Sequence, residues 1–240
     1  MPRFFVEQLD ELTVLTGENA RHISKSLRMQ AGETITLCDG NGKEADGVIQ
    51  SLSADAVSVK LGETKVSATE PQTKVSLYLA MPKGDKAELV VQKAVELGVY
   101  EVVFLLTSRC ISRPKDSDAP KKIARYQKIA DEAAKQCGRG ILPKVRGILN
   151  FDQTLAEMQQ FDKAFTLYEG ECPAFRNALP NRGERVALLI GSEGGFSPEE
   201  IEKAVEKGVS PVSLGKRILR CETAPIAALA ALMFSVGEMD

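Results

Sequence analysis

Arg185–Glu200 reads RVALLIGSEGGFSPEE, an apolar run, then a glycine-rich loop, then a helix start. Val186–Ile190 is continuously apolar, as a strand buried on both faces must be. Ser197 is a good N-cap, Pro198 suits the first helical position and Glu200 completes a capping box. Between them, Gly191-Ser192-Glu193-Gly194-Gly195-Phe196 lets a ligand approach the backbone and leaves amide donors exposed. The loop lacks the lysine of a P-loop and does not match Gly-x-Gly-x-x-Gly. A strand–loop–helix unit of this kind belongs to an α/β sheet, whose ligands bind beyond the carboxyl ends of its strands.

The surrounding sequence repeats that alternation. Strands are expected at Val75–Met81, Glu101–Leu106, Ala164–Tyr168 and Val212–Leu214. Asp85 and Glu88 read as a capping box for a helix running to Leu97 and stopped by Gly98. Ile123, Tyr126, Ala130, Ala133 and Cys137 mark one face of a long helix ending at Gly138. After Val212–Leu214 comes a second loop, Gly215-Lys216-Arg217-Ile218-Leu219-Arg220-Cys221-Glu222. Thr223 then caps a helix whose body, Ile226–Val236, is apolar all round, which requires burial or another subunit. Charges placed directly before a buried helix need partners, whether ligand or protein. The residues thus imply a small-molecule site between two neighbouring loops, beside a basic patch.

Upstream of Pro71 the pattern differs. Glu33–Asp39, Glu44–Gln50 and Ala56–Leu61 alternate like short strands, and Asp39-Gly40-Asn41-Gly42 supplies a turn. Ala20, Ile23 and Leu27 fall at helical spacing within Glu18–Met29. Short strands with tight turns predict a small β-barrel, and the polar stretch Gly62–Gln72 reads as a linker. The expected division is therefore 1–71 and 72–240.

Composition narrows the function classes. The 240 residues are 43% hydrophobic and 27% charged, an ordinary globular balance. No apolar run approaches the ~20 residues that span a bilayer, and MPRFFVEQLDEL has no signal-peptide core, so a cytoplasmic protein without membrane contact is expected. One histidine, His22, excludes any scheme that needs two imidazoles. Cys38, Cys110, Cys137, Cys172 and Cys221 are never closer than 27 positions. That spacing argues against a zinc site or a disulfide framework and predicts small, buried, inert thiols. The net charge of −2 hides a basic block: Ser108–Arg146 holds 11 basic and 4 acidic residues, a candidate polyanion surface. With no tryptophan and 5% aromatics, a stacking platform for single-stranded nucleic acid is thin.

The two loops, GSEGGFS at Gly191–Ser197 and LGKRILRCETA at Leu214–Ala224, resemble the cofactor loops of the small-subunit (16S) ribosomal RNA uridine-N3 methyltransferases, in the SPOUT trefoil-knot class. Arg3-Phe4-Phe5-Val6, His22–Met29 with Gly32, Lys83-Gly84-Asp85-Lys86, Gln92–Gly98 and Gln136-Cys137-Gly138-Arg139 extend the resemblance along the chain. The family usually has proline at the position of Ser192 and threonine at that of Cys221, both small changes in volume. The resemblance implies a PUA-like β-barrel over 1–71. It also implies an α/β SPOUT domain with a mostly parallel sheet over 72–240, its C-terminal segment forming a trefoil knot, and a homodimer. S-adenosylmethionine, without a metal, would be held mainly by backbone. Its site would comprise Leu167 at one strand end, Leu189 to Gly191 with Glu193, Gly194 and Gly195, and Leu214, Gly215, Ile218, Leu219, Arg220, Thr223 and Ala224.

The implied reaction methylates N3 of a uridine on the 30S subunit. The base must be unpaired and its N3 proton must leave. Arg220 would stabilise the developing charge, with Glu222 or Glu193 accepting the proton. Arg21, Lys25, Arg28, Lys83, Lys86, Arg109, Arg113 and Arg139 are the expected RNA contacts, mostly to phosphate. His22 is expected in RNA contact or structure. Three other readings stay open at this point: a ribose 2′-O-methyltransferase of the same fold, a non-catalytic ribosome-assembly factor, and an unrelated glycine-loop nucleotide enzyme.

Overall fold

The computed structural model describes residues 1–53 and 55–239, and the chain separates into two compact units. The first comprises Met1–Glu70 with Ala134–Leu142; the second comprises Pro71–Ala133 with Pro143–Asp240.

The first unit is a curled sheet of six short strands: β1 (Arg3–Phe5), β2 (Leu12–Thr16), β3 (Thr34–Cys38), β4 (Lys43–Leu52), β5 (Ala56–Leu61) and β6 (Lys65–Val66). Their order is β1-β3-β4-β5-β2, with β6 on β4. The alternation read from the sequence puts Ile35, Leu37, Ile49, Val57 and Val59 inside, packed with Phe4, Ile23 and Leu15 of β2, a strand the sequence pattern did not mark. Two expectations need correction. The stretch read as a linker contains β6, which pairs Lys43 with Val66 and Glu44 with Lys65. The helix expected over Glu18–Met29 forms but stops at Ser26 and changes pitch: α1 (Gly17–Arg21) runs directly into a wider, π-helical turn over His22–Ser26, in which Leu27 N donates to His22 O. Ser24 Oγ donates to Ala20 O at 2.8 Å, so a hydroxyl competes there for a helix carbonyl. Arg28 then leaves with φ of 54°.

Ala134–Leu142 completes this unit. Arg139 and Glu70 pair through several hydrogen bonds, the closest being 2.8 Å, and the same carboxylate accepts from the amides of Gly140 and Ile141. Only 4% of Arg139 is exposed.

The second unit is built on six parallel strands in the order β12-β10-β11-β7-β8-β9. These are β7 (Lys74–Ala80), β8 (Glu101–Leu106), β9 (Lys144–Asn150), β10 (Lys163–Leu167), β11 (Arg185–Ile190) and β12 (Ser210–Val212). The helices are α2 (Lys86–Glu96), α3 (Ala119–Cys137, its last turn counted with the first unit), α4 (Phe151–Met158), α5 (Pro198–Glu206) and α6 (Thr223–Ser235). Leu77, Tyr78, Leu79, Val102, Val103, Phe104, Leu105 and Val186 to Leu188 are all fully buried, as central parallel strands require.

The capping box of α5 forms as expected, with Ser197 Oγ accepting from Glu200 N and Glu200 accepting from Ser197 N. The one expected at α2 does not. Asp85 offers no side-chain bond, and Glu88 instead pairs with Arg125 on α3 at 2.6 Å. Thr223 is the first residue of α6 and does not cap it; Glu222 stands in the cap position, without a side-chain bond to the helix. The strand expected at Val212–Leu214 ends at Val212, because the backbone beyond it turns to bond Pro173 and Phe175 through Ser213. Strand β9 and helix α4 lie outside the expected elements, although Asn150 and Gln153 form a reciprocal capping box that the sequence displays.

Candidate functional site

Three adjacent strands, β12, β10 and β11, end at one cavity of about 630 Å³, a volume suited to a cofactor-sized ligand. Leu167, Ile190 and Val212 stand at those ends and line it. The loop after β11 forms one wall, through Gly191, Ser192, Glu193, Gly195 and Phe196. The loop after β12 forms another, running from Ser213 to Glu222 and on to Ala224. Tyr168, Glu169, Cys172 and Ala174, after β10, close the third side.

The glycines serve close approach. A Cβ on Gly191 would stand 3.0 Å from Gly195 Cα and 3.2 Å from a Phe196 ring carbon, and Gly195 has φ of 64°. Gly195 N closes the turn on Ser192 O. From outside, the Arg109 guanidinium donates to Gly194 O at 3.1 Å and Ser192 Oγ reaches Arg109 O at 3.4 Å. Glu200 fixes the next segment, accepting from Ser108 N at 2.7 Å as well as from Ser197 N.

The second loop is held differently. Among the described residues, the amides of Lys216, Arg217, Ile218, Leu219 and Arg220 donate no hydrogen bond. Its ends are anchored: Ser213 bonds Pro173 O, and Arg220 O accepts from Thr223 N and Ala224 N. Backbone groups left unpaired in a cavity wall are available to a ligand.

Charge concentrates where the two loops meet α2. Lys86 Nζ lies 2.7 Å from Glu193 Oε1 and 3.7 Å from Glu222 Oε2. Glu193 Oε1 also accepts from Lys83 N at 3.0 Å, and Cys221 Sγ donates to Glu222 Oε2 at 3.3 Å. Burial alone would raise the Glu193 carboxyl; Lys86, with the amides of Glu193 itself and Lys83, overrides it and takes it down to about 2. Glu222 is lowered by its own amide, against burial, and further by Cys221, Lys86 and Arg220. Burial and the neighbouring Glu222 push the Cys221 thiol up to about 12, so it stays a neutral donor.

Most of the expected cofactor residues line this cavity: Leu167, Ile190, Gly191, Glu193, Gly195, Leu214, Gly215, Ile218, Leu219, Arg220 and Ala224. Leu189, Gly194 and Thr223 do not. Leu189 is buried within β11, Gly194 packs on Arg109, and Thr223 is exposed in the first turn of α6. Arg220 is exposed at the rim, and among the described residues its guanidinium has no ion pair or hydrogen bond. Tyr168, Glu169, Phe196, Lys216 and Arg217 also line the cavity and are not among the expected cofactor residues, although all but Glu169 lie in the two loops or at the strand end that the sequence marks as the site. It also read Cys172 and Cys221 as inert core, whereas both face the cavity.

The expected RNA contacts divide. Arg21, Lys25, Arg28, Lys83, Arg109 and Arg113 are exposed, although Arg113 spends its guanidinium on the carbonyls of Thr107, Ser108 and Cys110. Arg139 is corrected to a buried partner of Glu70, and Lys86 stands in the cavity wall. His22 is exposed, its ring edge-on to Phe4 at 6.0 Å. Among the described residues, no three His, Cys, Asp or Glu side chains converge as metal ligands would. No described helix is long and apolar enough to cross a membrane.

Comparison with known proteins places this geometry in context. Residues 69–233 match the model of an RNA methyltransferase domain and residues 15–62 that of an RNA methyltransferase PUA domain. The chain is 38% identical to ribosomal RNA small subunit methyltransferase E of Bacillus subtilis, over 98% of this chain and 96% of that one. Ribosomal RNA small subunit methyltransferase E of Neisseria gonorrhoeae, solved bound to S-adenosylmethionine, superposes with a TM-score of 0.88 at 30% identity, covering 98% of each chain. A Legionella pneumophila structure described as a methyltransferase with its bound cofactor, S-adenosylmethionine, superposes at 0.86 with 33% identity, over 98% of this chain and 97% of that one.

Proposed function

We propose, from the premise that this chain belongs to the ribosomal RNA small subunit methyltransferase E family, that it methylates N3 of a uridine in 16S ribosomal RNA, on the assembled 30S subunit. Membership makes it an S-adenosylmethionine-dependent methyltransferase of small-subunit ribosomal RNA. The observation that carries the reading is the cavity at three strand ends, walled by glycine backbone and by a run of unclaimed amides, with a free arginine at its rim.

The residues present fit S-adenosylmethionine. Gly191 lets the loop fold closely on Gly195, so that both present backbone to the cavity, and the amides of Lys216–Arg220 supply the donors. Leu167, Ile190, Leu214 and Leu219 offer apolar walls. The bound cofactor supplies a methyl group already activated on its sulfonium, so the protein chiefly has to align donor and acceptor.

For N3 to accept the methyl group its proton must leave, and the base carries negative charge as it does. Arg220, exposed and uncommitted, stabilises that charge. Glu222 is the better proton acceptor of the two carboxylates. Glu193 is saturated by Lys86 and two amides and held at about 2, which leaves it a poor base.

The exposed cations Arg21, Lys25, Arg28, Lys83 and Arg109 hold RNA phosphates, which makes binding salt-dependent. The PUA-like unit adds RNA-binding surface. The segment from β12 to α6 threads as a trefoil knot, and α6 lies in a homodimer interface. The enzyme acts in the cytoplasm, where small subunits are made.

Incubation with S-adenosylmethionine and small subunits lacking the modification, followed by nucleoside mass spectrometry, tests this reading. New N3-methyluridine is the expected product. A 2′-O-methylated nucleoside would keep the cofactor and overturn the acceptor. Cofactor binding without any methylation would point to an assembly factor.

A further inference from the structure

Among the described residues, no amide from Lys216 to Arg220 in the second cavity loop donates a hydrogen bond, yet the loop forms a wall. We infer that Lys86 is a positioning residue, a clasp that ties both cavity loops to the start of α2 by bridging Glu193 and Glu222. The inference rests on the reading of the cavity as the cofactor site.

Four observations support it. Lys86 is the first residue of α2, so its backbone belongs to a rigid element rather than to either loop. Its ammonium stands 2.7 Å from Glu193, in the loop after β11, and 3.7 Å from Glu222, which closes the loop after β12. All three side chains are mostly withdrawn from water, at 28%, 25% and 19% exposure, which strengthens their mutual attraction over that of a surface pair. Lys83 N, donating to the same Glu193 oxygen, adds a second tie from the α2 side. Without the lysine, two carboxylates would face each other across the junction of the loops with no cation between them, and repulsion would move them apart.

The clasp makes Lys86 and Glu193 energetically dependent on one another. Affinity for S-adenosylhomocysteine, measured by calorimetry on the full chain, should fall about tenfold or more in Lys86→Met and by no more than about threefold in Lys86→Arg. In a Glu193→Gln background the Lys86→Met loss should shrink, because the repulsion it unmasks is gone. Wild-type affinity in Lys86→Met, or losses that simply add in the double variant, would overturn the clasp.

Hydrogen exchange of the ligand-free chain separates the clasp from the cofactor reading. The amides of Lys83, Thr223 and Ala224 are hydrogen-bonded at the anchor points. They should exchange about tenfold faster in Lys86→Met and recover in Lys86→Arg, while amides of the central strands keep their protection. Unchanged exchange would overturn the clasp whatever the protein binds. Failure of the wild type to bind the cofactor product, with the exchange pattern as expected, would overturn the cofactor reading alone.

Discussion

Single side chains here divide into those committed to the fold and those kept free. Glu193 is the committed extreme. Its carboxyl ionises well below the ordinary 4.5, so its contribution to stability is complete above that pH and is lost as pH falls toward about 2. Thermal unfolding followed from pH 6 to 2.5 should therefore fall less steeply for Glu193→Gln than for the wild type. Arg139 is committed too. Replacing it with Met strands the Glu70 carboxylate and should cost about 3–5 kcal/mol in urea unfolding, without a selective loss of RNA affinity in the protein that remains folded. Arg220 is the opposite case. Arg220→Ala should leave stability within about 0.5 kcal/mol and lower single-turnover methylation by about 10²–10³-fold.

At the scale of elements, what the sequence disclosed was local and what it concealed was distant. The strand Arg185–Ile190 and the capped start of α5 were legible because their determinants lie within sixteen consecutive residues. So were the ends of α2 and α3, each marked by a glycine. The ties of Lys86 were hidden in the sequence because its partner Glu193 lies 107 positions away. Arg139 was misread for the same reason, with Glu70 lying 69 positions away. No periodicity reports such pairs. The failed capping box at Asp85 shows the same competition: Glu88 had a better partner on another helix. The turn after β11 allows a direct check. Gly191→Ala puts a methyl 3.0 Å from Gly195 Cα. Calorimetry should find cofactor affinity lowered about ten- to a hundredfold, since the displaced backbone is itself the binding surface.

For the whole molecule, α6 is the informative surface. Pro225, Ala228, Leu229, Leu232 and Met233 face inward, which accounts for half of a helix that is apolar all round. The other half carries Ala224, Ala231 and Phe234, the last 71% exposed. A homodimer through that face would bury it, and Phe234→Glu should then sediment as a monomer where the wild type sediments as a dimer. The composition of the helix pointed to this exposed remainder from the start, whereas its inward partners became visible only with the fold.

The pairing of Glu70 with Arg139 also bears on how the polypeptide emerges during synthesis. The N-terminal unit comprises two stretches separated by more than sixty residues, and the second supplies both the guanidinium that neutralises Glu70 and the two amides that donate to it. While the ribosome is still making α2 and β8, that unit has its strands but not its latch. It reaches its final form only after the end of α3 leaves the exit tunnel, so what looks like an autonomous N-terminal module matures in step with the catalytic half that follows it.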